Sequence, residues 1–182
     1  MRVFLEREAR LAIIFAAIEA AEERYGPKET LGLLFGYRTG DGVIVRFALP
    51  YQTAKRKTSG VEYPRKESRL LSLLPELPKA HMEHVGYFHS HPYDRKGREY
   101  PPSPTDSDKQ SMRNGDLEII ISLKRKKKDV EAGVRRNETV SATAGPYYYK
   151  IAAYYKIEGR IEKAELDASL ETVPRTDGNL NA

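Results

Sequence analysis

Both the fold and the candidate chemistry of this chain depend on residues 84–106, HVGYFHSHPYDRKGREYPPSPTD. The segment opens with alternating side chains rich in aromatic and β-branched types, which predict a strand over residues 83–91. Residues 92–102 contain three prolines and a glycine and therefore predict a loop. Ser103 and Pro104 then suit the N-cap and the first position of a helix.

The segments around this strand predict a mixed α/β fold. In chain order, the predicted elements are a helix over residues 7–25, a β-hairpin over 30–50 with the turn TGDG, a loop over 53–64, a leucine-rich helix over 65–80, a buried strand over 117–124 and further strands over 130–166 with a last turn at Glu158–Gly159. This order predicts a mixed, mainly antiparallel sheet flanked by helices. We expect one domain over residues 1–173 and a polar, flexible tail over 174–182.

Composition narrows the classes of function. With 182 residues, of which 40% are hydrophobic and 31% charged, the chain fits one globular domain with a core. The absence of cysteine excludes disulfides, thiolate zinc sites and cysteine nucleophiles. Any metal ion must therefore be held by nitrogen and oxygen ligands.

Charge and hydropathy patterns predict a cytoplasmic protein that does not enter a membrane. The longest early apolar run, LAIIFAAI over residues 11–18, is too short to span a bilayer, and the glutamates around it do not fit a signal peptide. The net charge of +5 comes from interleaved signs, apart from the run KRKKK over residues 124–128. That run is typical of a solvated turn between strands, although it could also bind an acidic partner or nucleic acid.

The strand that ends this segment places two histidines on one face. Side chains alternate along a strand, so His89 and His91 point the same way and Ser90 points away. Two such imidazoles can share a metal ion, and a catalytic zinc site needs a third protein ligand and an open position. Asp106, at the start of the following helix, is the natural candidate for that ligand.

Simpler interpretations of the same residues stay open at this point. A His-x-His pair can be two polar side chains on a solvated face. Asp106 lies three residues after Ser103, so a capping box at the helix start would by itself explain both residues. Glu29, in KETLG, is typical of a surface acid before a strand. His81 and His84 match no zinc-binding helix motif, and we expect them on the surface.

Two motifs together resemble the JAMM/MPN+ zinc metalloprotease family. His89-Ser90-His91-Pro92 followed by Ser103-x-x-Asp106 is similar to its H-x-H-P…S-x-x-D pattern. The segment PKETLGLLFG over residues 27–36 resembles the family segment that carries a catalytic glutamate. Fourteen residues separate His91 from Asp106, which is longer than is usual in the family, but a surface loop lengthens at little cost.

The resemblance implies a prokaryotic-type, stand-alone member with a JAMM/MPN domain of cytidine-deaminase-like architecture. It implies one Zn²⁺ per chain bound by His89, His91 and Asp106, with Glu29 as general base and later as acid. Ser103 would stabilise the oxyanion. The implied function is that of a zinc-dependent peptidase or isopeptidase that processes ubiquitin-like modifier or sulfur-carrier proteins.

The sequence fits several other functions less well. A two-histidine, one-carboxylate iron site usually draws its ligands from well-separated parts of the chain, whereas all four histidines here lie between residues 81 and 91. A nucleobase deaminase needs cysteine ligands, which this chain lacks. A catalytically silent MPN-type scaffold would lack some of the ligands or the glutamate. A nucleic-acid-binding basic domain would bind in a strongly salt-dependent manner, and no known motif supports it.

Overall fold

The computed structural model describes residues 1–24, 26–51, 55–57, 60–62, 82–94, 97–125 and 139–168. Its elements are β1 (Arg2–Leu5), α1 (Arg7–Ala21), β2 (Leu31–Arg38), β3 (Gly42–Pro50), β4 (Lys55–Lys57), β5 (Gly60–Glu62), β6 (Glu83–His91), α2 (Asp106–Ser111), β7 (Leu117–Arg125), β8 (Thr139–Ala144), β9 (Tyr147–Ile157), β10 (Arg160–Lys163) and β11 (Glu165–Asp167). The predicted helix over 65–80 and the tail over 174–182 lie outside the described residues.

One large sheet organises the chain. Its strand order is β10-β9-β7-β6-β2-β3-β1-β11, with β8 also paired to β9, and β4 and β5 pair separately. Most pairs in the large sheet are antiparallel, while β1 runs parallel to β3 and β11, and β6 runs parallel to β7. The mixed, mainly antiparallel sheet predicted from the sequence is therefore confirmed.

Helix α1 covers one face of this sheet. Its buried side chains are mostly small, including Ala9, Ala16 and Ala17, which lets the helix approach the strands closely. Ile13 completes this face and packs into a core with Phe88 of β6 and other apolar strand residues. The predicted helix over 7–25 is confirmed, although it ends at Ala21.

The opposite face carries a second, smaller apolar cluster. Leu31, Leu33 and Phe35 of β2 alternate onto this face, and Tyr51 and Tyr87 pack with them. Because Tyr87 and His89 are two residues apart on β6, His89 also points to this face. The candidate ligands therefore lie on the side of the sheet away from α1.

Three local predictions have clear outcomes. The hairpin over 30–50 is confirmed as β2 and β3, and the Glu158–Gly159 turn is confirmed between β9 and β10, with positive φ angles of 49° and 78°. The helix predicted to begin at Pro104 instead begins at Asp106, with Thr105 as its N-cap. Lys124 and Arg125 of the basic run are exposed at the end of β7, and the rest of the run lies outside the described residues.

The part of the chain that the structure describes contains no helix with the length and hydrophobicity needed to cross a membrane. The cytoplasmic location stays a prediction.

A close approach of β2 to its neighbours at Gly32 generates a stability prediction. A Cβ at Gly32 would clash with the Phe88 ring and with the Leu49 carbonyl oxygen. We expect Gly32→Ala to lower the free energy of unfolding by about 1–3 kcal/mol, because neither neighbour can move without disturbing the sheet. Gly40→Ala is the matched control, since no atom lies within 4 Å of the position its Cβ would take. Urea denaturation of both variants measures the difference, and equal stability would contradict the packing described here.

Candidate metal centre

Strand β6 brings His89 and His91 together in a buried position. Both side chains point to the same face of the sheet, as predicted, and only 7% and 6% of their surfaces are exposed. Their Nε2 atoms lie 3.0 Å apart. Two imidazole nitrogens at this distance require a proton or a cation between them, because two facing lone pairs would repel.

The other nitrogen of each ring has its own acceptor. His89 Nδ1 lies 2.7 Å from Glu118 Oε1, and His91 Nδ1 lies 2.8 Å from the carbonyl oxygen of Pro101. Both acceptors require a hydrogen on Nδ1, which assigns each neutral ring the tautomer with a free Nε2 lone pair. Both Nε2 atoms are then available to bind a metal ion.

Asp108 supplies the carboxylate beside the histidines. Its Oδ2 atom lies 3.5 Å from His89 Nε2 and 3.9 Å from His91 Nε2. The same oxygen accepts hydrogen bonds from the backbone N–H and the hydroxyl of Thr105, both at 2.7 Å. The bond from the Thr105 backbone N–H, together with the bond that the Asp108 N–H donates to the Thr105 hydroxyl oxygen at 3.3 Å, forms a capping box at the start of α2, and the box fixes the carboxylate in place.

The expectation that Asp106 is the third ligand is not met. The Asp106 side chain is 91% exposed and pairs with Lys109 at 2.9 Å. The reason is the start of α2: with Thr105 as N-cap, Asp106 occupies the first helical position and Asp108 the third. These positions differ by about 200° around the helix axis, so only Asp108 faces the histidines. The sequence contains two overlapping candidates, Ser103-x-x-Asp106 and Thr105-x-x-Asp108, and spacing alone does not choose between them.

Ser103 lies in the loop ahead of α2. It is half-buried and lines a cleft of about 520 Å³ with Pro104, Lys109, Tyr154, Gly159 and Ile161. Among the described residues, no hydrogen bond joins Ser103 to either histidine. It is not the N-cap that the sequence predicted, because the Thr105 hydroxyl performs that role.

Glu29 is held close to the histidines by its neighbour Thr30. The Thr30 N–H donates to Ser90 Oγ, and the Ser90 N–H donates to the Thr30 carbonyl oxygen, both at 2.9 Å. This clamp joins the residue after Glu29 to the residue between the two histidines. Burial raises the pKa of Glu29 to about 7, with the charge of His89 opposing the shift and that of Asp108 adding to it.

The electrostatics of the centre favour a positive charge between the ligands. Burial alone would lower the pKa of His89, but the neighbouring carboxylates of Asp108 and Glu118 raise that pKa well above its usual range. Burial would raise the pKa of Asp108, since it disfavours the charged carboxylate. The contact with His89 and the hydrogen bonds from Thr105 nevertheless hold that pKa well below its ordinary value. For His91, burial and the charge of His89 lower the pKa.

The donor set fits a small divalent ion. The candidate ligand atoms of His89, His91 and Asp108 all lie within 4.8 Å of one another. Ligand atoms around a tetrahedral zinc ion are about 3.3 Å apart, given bonds of about 2.0–2.1 Å. The observed separations of 3.0, 3.5 and 3.9 Å are close to that value. Two imidazoles and one carboxylate are also a common ligand set of catalytic zinc.

Glu118 is a site residue that the sequence interpretation missed. It lies on β7, where residues 117–123 are all buried, and only 6% of its surface is exposed. The signal was present in LEIIISLK, since a carboxylate inside an apolar strand needs a buried partner. That partner is His89, and its identity depends on the pairing of β6 with β7.

The long loop between His91 and α2 is tied to strand β9. Glu99 pairs with Lys150 at 2.8 Å, and the Tyr154 hydroxyl donates to the Pro102 carbonyl oxygen at 3.0 Å. The ammonium group of Lys156 donates to the Lys109 and Met112 carbonyl oxygens at the end of α2. Three side chains of one strand thus hold the loop and the helix that carries Asp108.

His84, upstream of the pair, is not part of this centre. His84 contacts the rings of Phe35 and Tyr87, and burial lowers its pKa. It is half-buried in an aromatic environment and is not the surface residue that the sequence predicted. His81 lies outside the described residues.

Comparisons with known proteins agree with this fold. The chain is similar in structure to protein DSY2949 from Desulfitobacterium hafniense, with a TM-score of 0.55 and 19% sequence identity over 93% of this chain and 95% of that chain. A likeness at this identity shows the fold alone. No curated protein matches the chain significantly.

A family of sequences matches more than half of the chain. The model of the prokaryotic homologs of the JAB domain matches residues 11–133, a range that contains Glu29, both histidines of the centre, Asp108 and Glu118. The protein therefore belongs to the prokaryotic JAB-domain family.

Proposed function

We propose that this protein is a zinc-dependent peptidase or isopeptidase that hydrolyses amide bonds in ubiquitin-like proteins or their conjugates. The observation that supports the proposal most strongly is the convergence of His89, His91 and Asp108 beside Glu29. Membership of the JAB-domain family supports the same reaction class. We also propose that helices cover both faces of the sheet, in a cytidine-deaminase-like architecture.

His89, His91 and Asp108 would hold one zinc ion per chain. Their nitrogen and oxygen donors suit zinc, and three protein ligands leave one position for water or substrate. When bound, zinc acts as a Lewis acid toward a carbonyl group and lowers the pKa of water to about 7.

Glu29 would move the proton during hydrolysis. Its carboxylate takes a proton from the attacking water and then delivers it to the nitrogen of the leaving amine. A general base works best when its pKa lies near the working pH, and burial has raised the pKa of Glu29 to about 7. The Thr30–Ser90 clamp would keep its carboxylate directed toward the scissile bond.

Ser103 would donate a hydrogen bond to the developing oxyanion. The Thr105 hydroxyl does not take this role, because it donates its hydrogen to Asp108. Ser103 lines the cleft next to α2, which supports a place near the substrate. The substrate chain would lie in an extended form along the sheet edge, as peptides that add to exposed strands do.

Separate replacement of Asp108 and of Asp106 by alanine tests the ligand set. Asp108→Ala removes a carboxylate that contacts both histidines, so zinc content should fall from about one ion per chain to near zero. Asp106→Ala is the matched control on the same helix, and it should keep the zinc because its side chain is exposed. Metal analysis of the purified proteins measures both. If only the Asp106 variant loses zinc, Asp106 is the third ligand, as the motif spacing in the sequence predicted, and Asp108 is not.

Replacement of the proposed general base separates catalysis from metal binding. Glu29→Gln keeps the size of the side chain but cannot accept the proton, so amide hydrolysis should slow by about 10²–10⁴-fold. Zinc content should remain at the wild-type level. An active Glu29→Gln variant would refute the assignment of the base, whereas wild-type protein that binds zinc without hydrolysing any conjugate would indicate a silent scaffold.

Substrate class is tested with conjugates of ubiquitin-like proteins from the same source organism. The wild-type protein should release the modifier, and treatment with a chelator should stop the release, because removal of zinc removes the Lewis acid. Activity should return when zinc is added back. Release that continues in the chelated protein would exclude metal-dependent hydrolysis.

A further inference from the structure

Among the described residues, Glu118 is the buried carboxylate that the proposed chemistry leaves without a role. It lies on β7 between apolar neighbours, and its side chain is 7% exposed. Burial of a carboxylate in such surroundings is costly unless it is paired and hydrogen-bonded. Its Oε1 atom lies 2.7 Å from His89 Nδ1, which is a short distance for a nitrogen–oxygen hydrogen bond.

The two histidines of the centre are supported in different ways. His91 donates to a neutral backbone carbonyl of the loop, whereas His89 donates to a carboxylate on a central strand. A carboxylate acceptor fixes the tautomer and orientation of a ligating imidazole and also makes its free nitrogen more basic. The pairing of β6 with β7 places Glu118 opposite Tyr87, two residues before His89, and so holds this acceptor in a rigid part of the sheet.

We propose that Glu118 is a positioning residue of the metal centre, which fixes His89 with Nε2 toward the ion and strengthens that nitrogen as a ligand. The inference rests on the proposed zinc site. It predicts that Glu118 sets metal affinity without touching the metal or the substrate.

Zinc affinity of the full-length chain tests the proposal directly. Glu118→Gln keeps a carbonyl oxygen near Nδ1 but removes the charge, and it should weaken zinc binding about tenfold in a competition titration. Glu118→Ala removes the acceptor as well and should weaken binding roughly 100-fold. Ser122→Ala is the matched control: it removes a buried polar group from the same strand and face, and its zinc affinity should equal that of the wild type.

A spectroscopic readout distinguishes positioning from general support of the fold. In the zinc-loaded wild type, the proton on His89 Nδ1 should give a strongly downfield, slowly exchanging NMR signal, because it is buried and bonded to a carboxylate. The signal should move upfield in Glu118→Gln and disappear through exchange in Glu118→Ala, while it stays in Ser122→Ala. Because Glu118→Gln is nearly isosteric, it gives the decisive comparison if Glu118→Ala fails to fold.

The outcomes separate this inference from the proposed function. If the wild type binds zinc and both Glu118 variants bind it within twofold of the wild type, the role of Glu118 is refuted and the zinc site stands. If the wild type binds no zinc, the zinc site and the inference fall together. Graded loss of affinity with the expected NMR change supports the role of Glu118.

Discussion

The pairing of β2 with β6 is the constraint on which the candidate site depends. Leu31 lies opposite His89, and the two hydrogen bonds between Thr30 and Ser90 extend the pairing by one residue. Both Thr30 and Ser90 are fully buried, so water does not compete for these bonds. Glu29 directly precedes this clamp and is therefore held at the end of the strand that carries the histidines. Residues about sixty positions apart in the chain meet in one site for this reason.

Burial of charged groups gives the centre its chemical character. Glu118, His89 and Asp108 form a row in which acidic and basic groups alternate, and each compensates the desolvation of its neighbour. The row holds the pKa of Asp108 below its ordinary value and favours a cation between the ligands. The same burial acts in the opposite direction on Glu29 and raises its pKa to about 7. One desolvated region thus combines a candidate ligand set for a cation with a carboxyl group whose pKa is about 7.

Side chains of strand β9 hold the loop and the helix that carry Asp108. The loop that connects Asp108 to the histidines is long, yet Lys150, Tyr154 and Lys156 of this strand hold its middle, its end and the end of α2. The entropy of the additional loop residues therefore does not loosen the ligand set. The Tyr154 bond also fixes the Pro102 carbonyl, next to the Pro101 carbonyl that accepts from His91. The loop therefore orients His91 through the Pro101 carbonyl, whereas β7 orients His89 through Glu118.

The sequence by itself determined the local features of this protein. Alternation along β6 predicted the shared face of His89 and His91, the turn residues predicted the β2–β3 hairpin, and PKETLGLLFG placed Glu29 before a strand. These predictions succeeded because they rest on periodicity and turn chemistry, which act within a few residues. Strand β1 was not predicted, and β11 was not separated from the strands predicted over 130–166, since three or four residues carry too little pattern and both are stabilised by distant partners.

Tertiary structure decided which carboxylates serve the centre. Both Ser103-x-x-Asp106 and Thr105-x-x-Asp108 satisfy the motif spacing, but the start of α2 turns only Asp108 toward the histidines. Glu118 became a partner of His89 through the pairing of β6 with β7, two strands that are separated in sequence by a loop and a helix. The choice of ligand depends on the orientation of one helix against one sheet, and side chains distant in the chain determine that orientation.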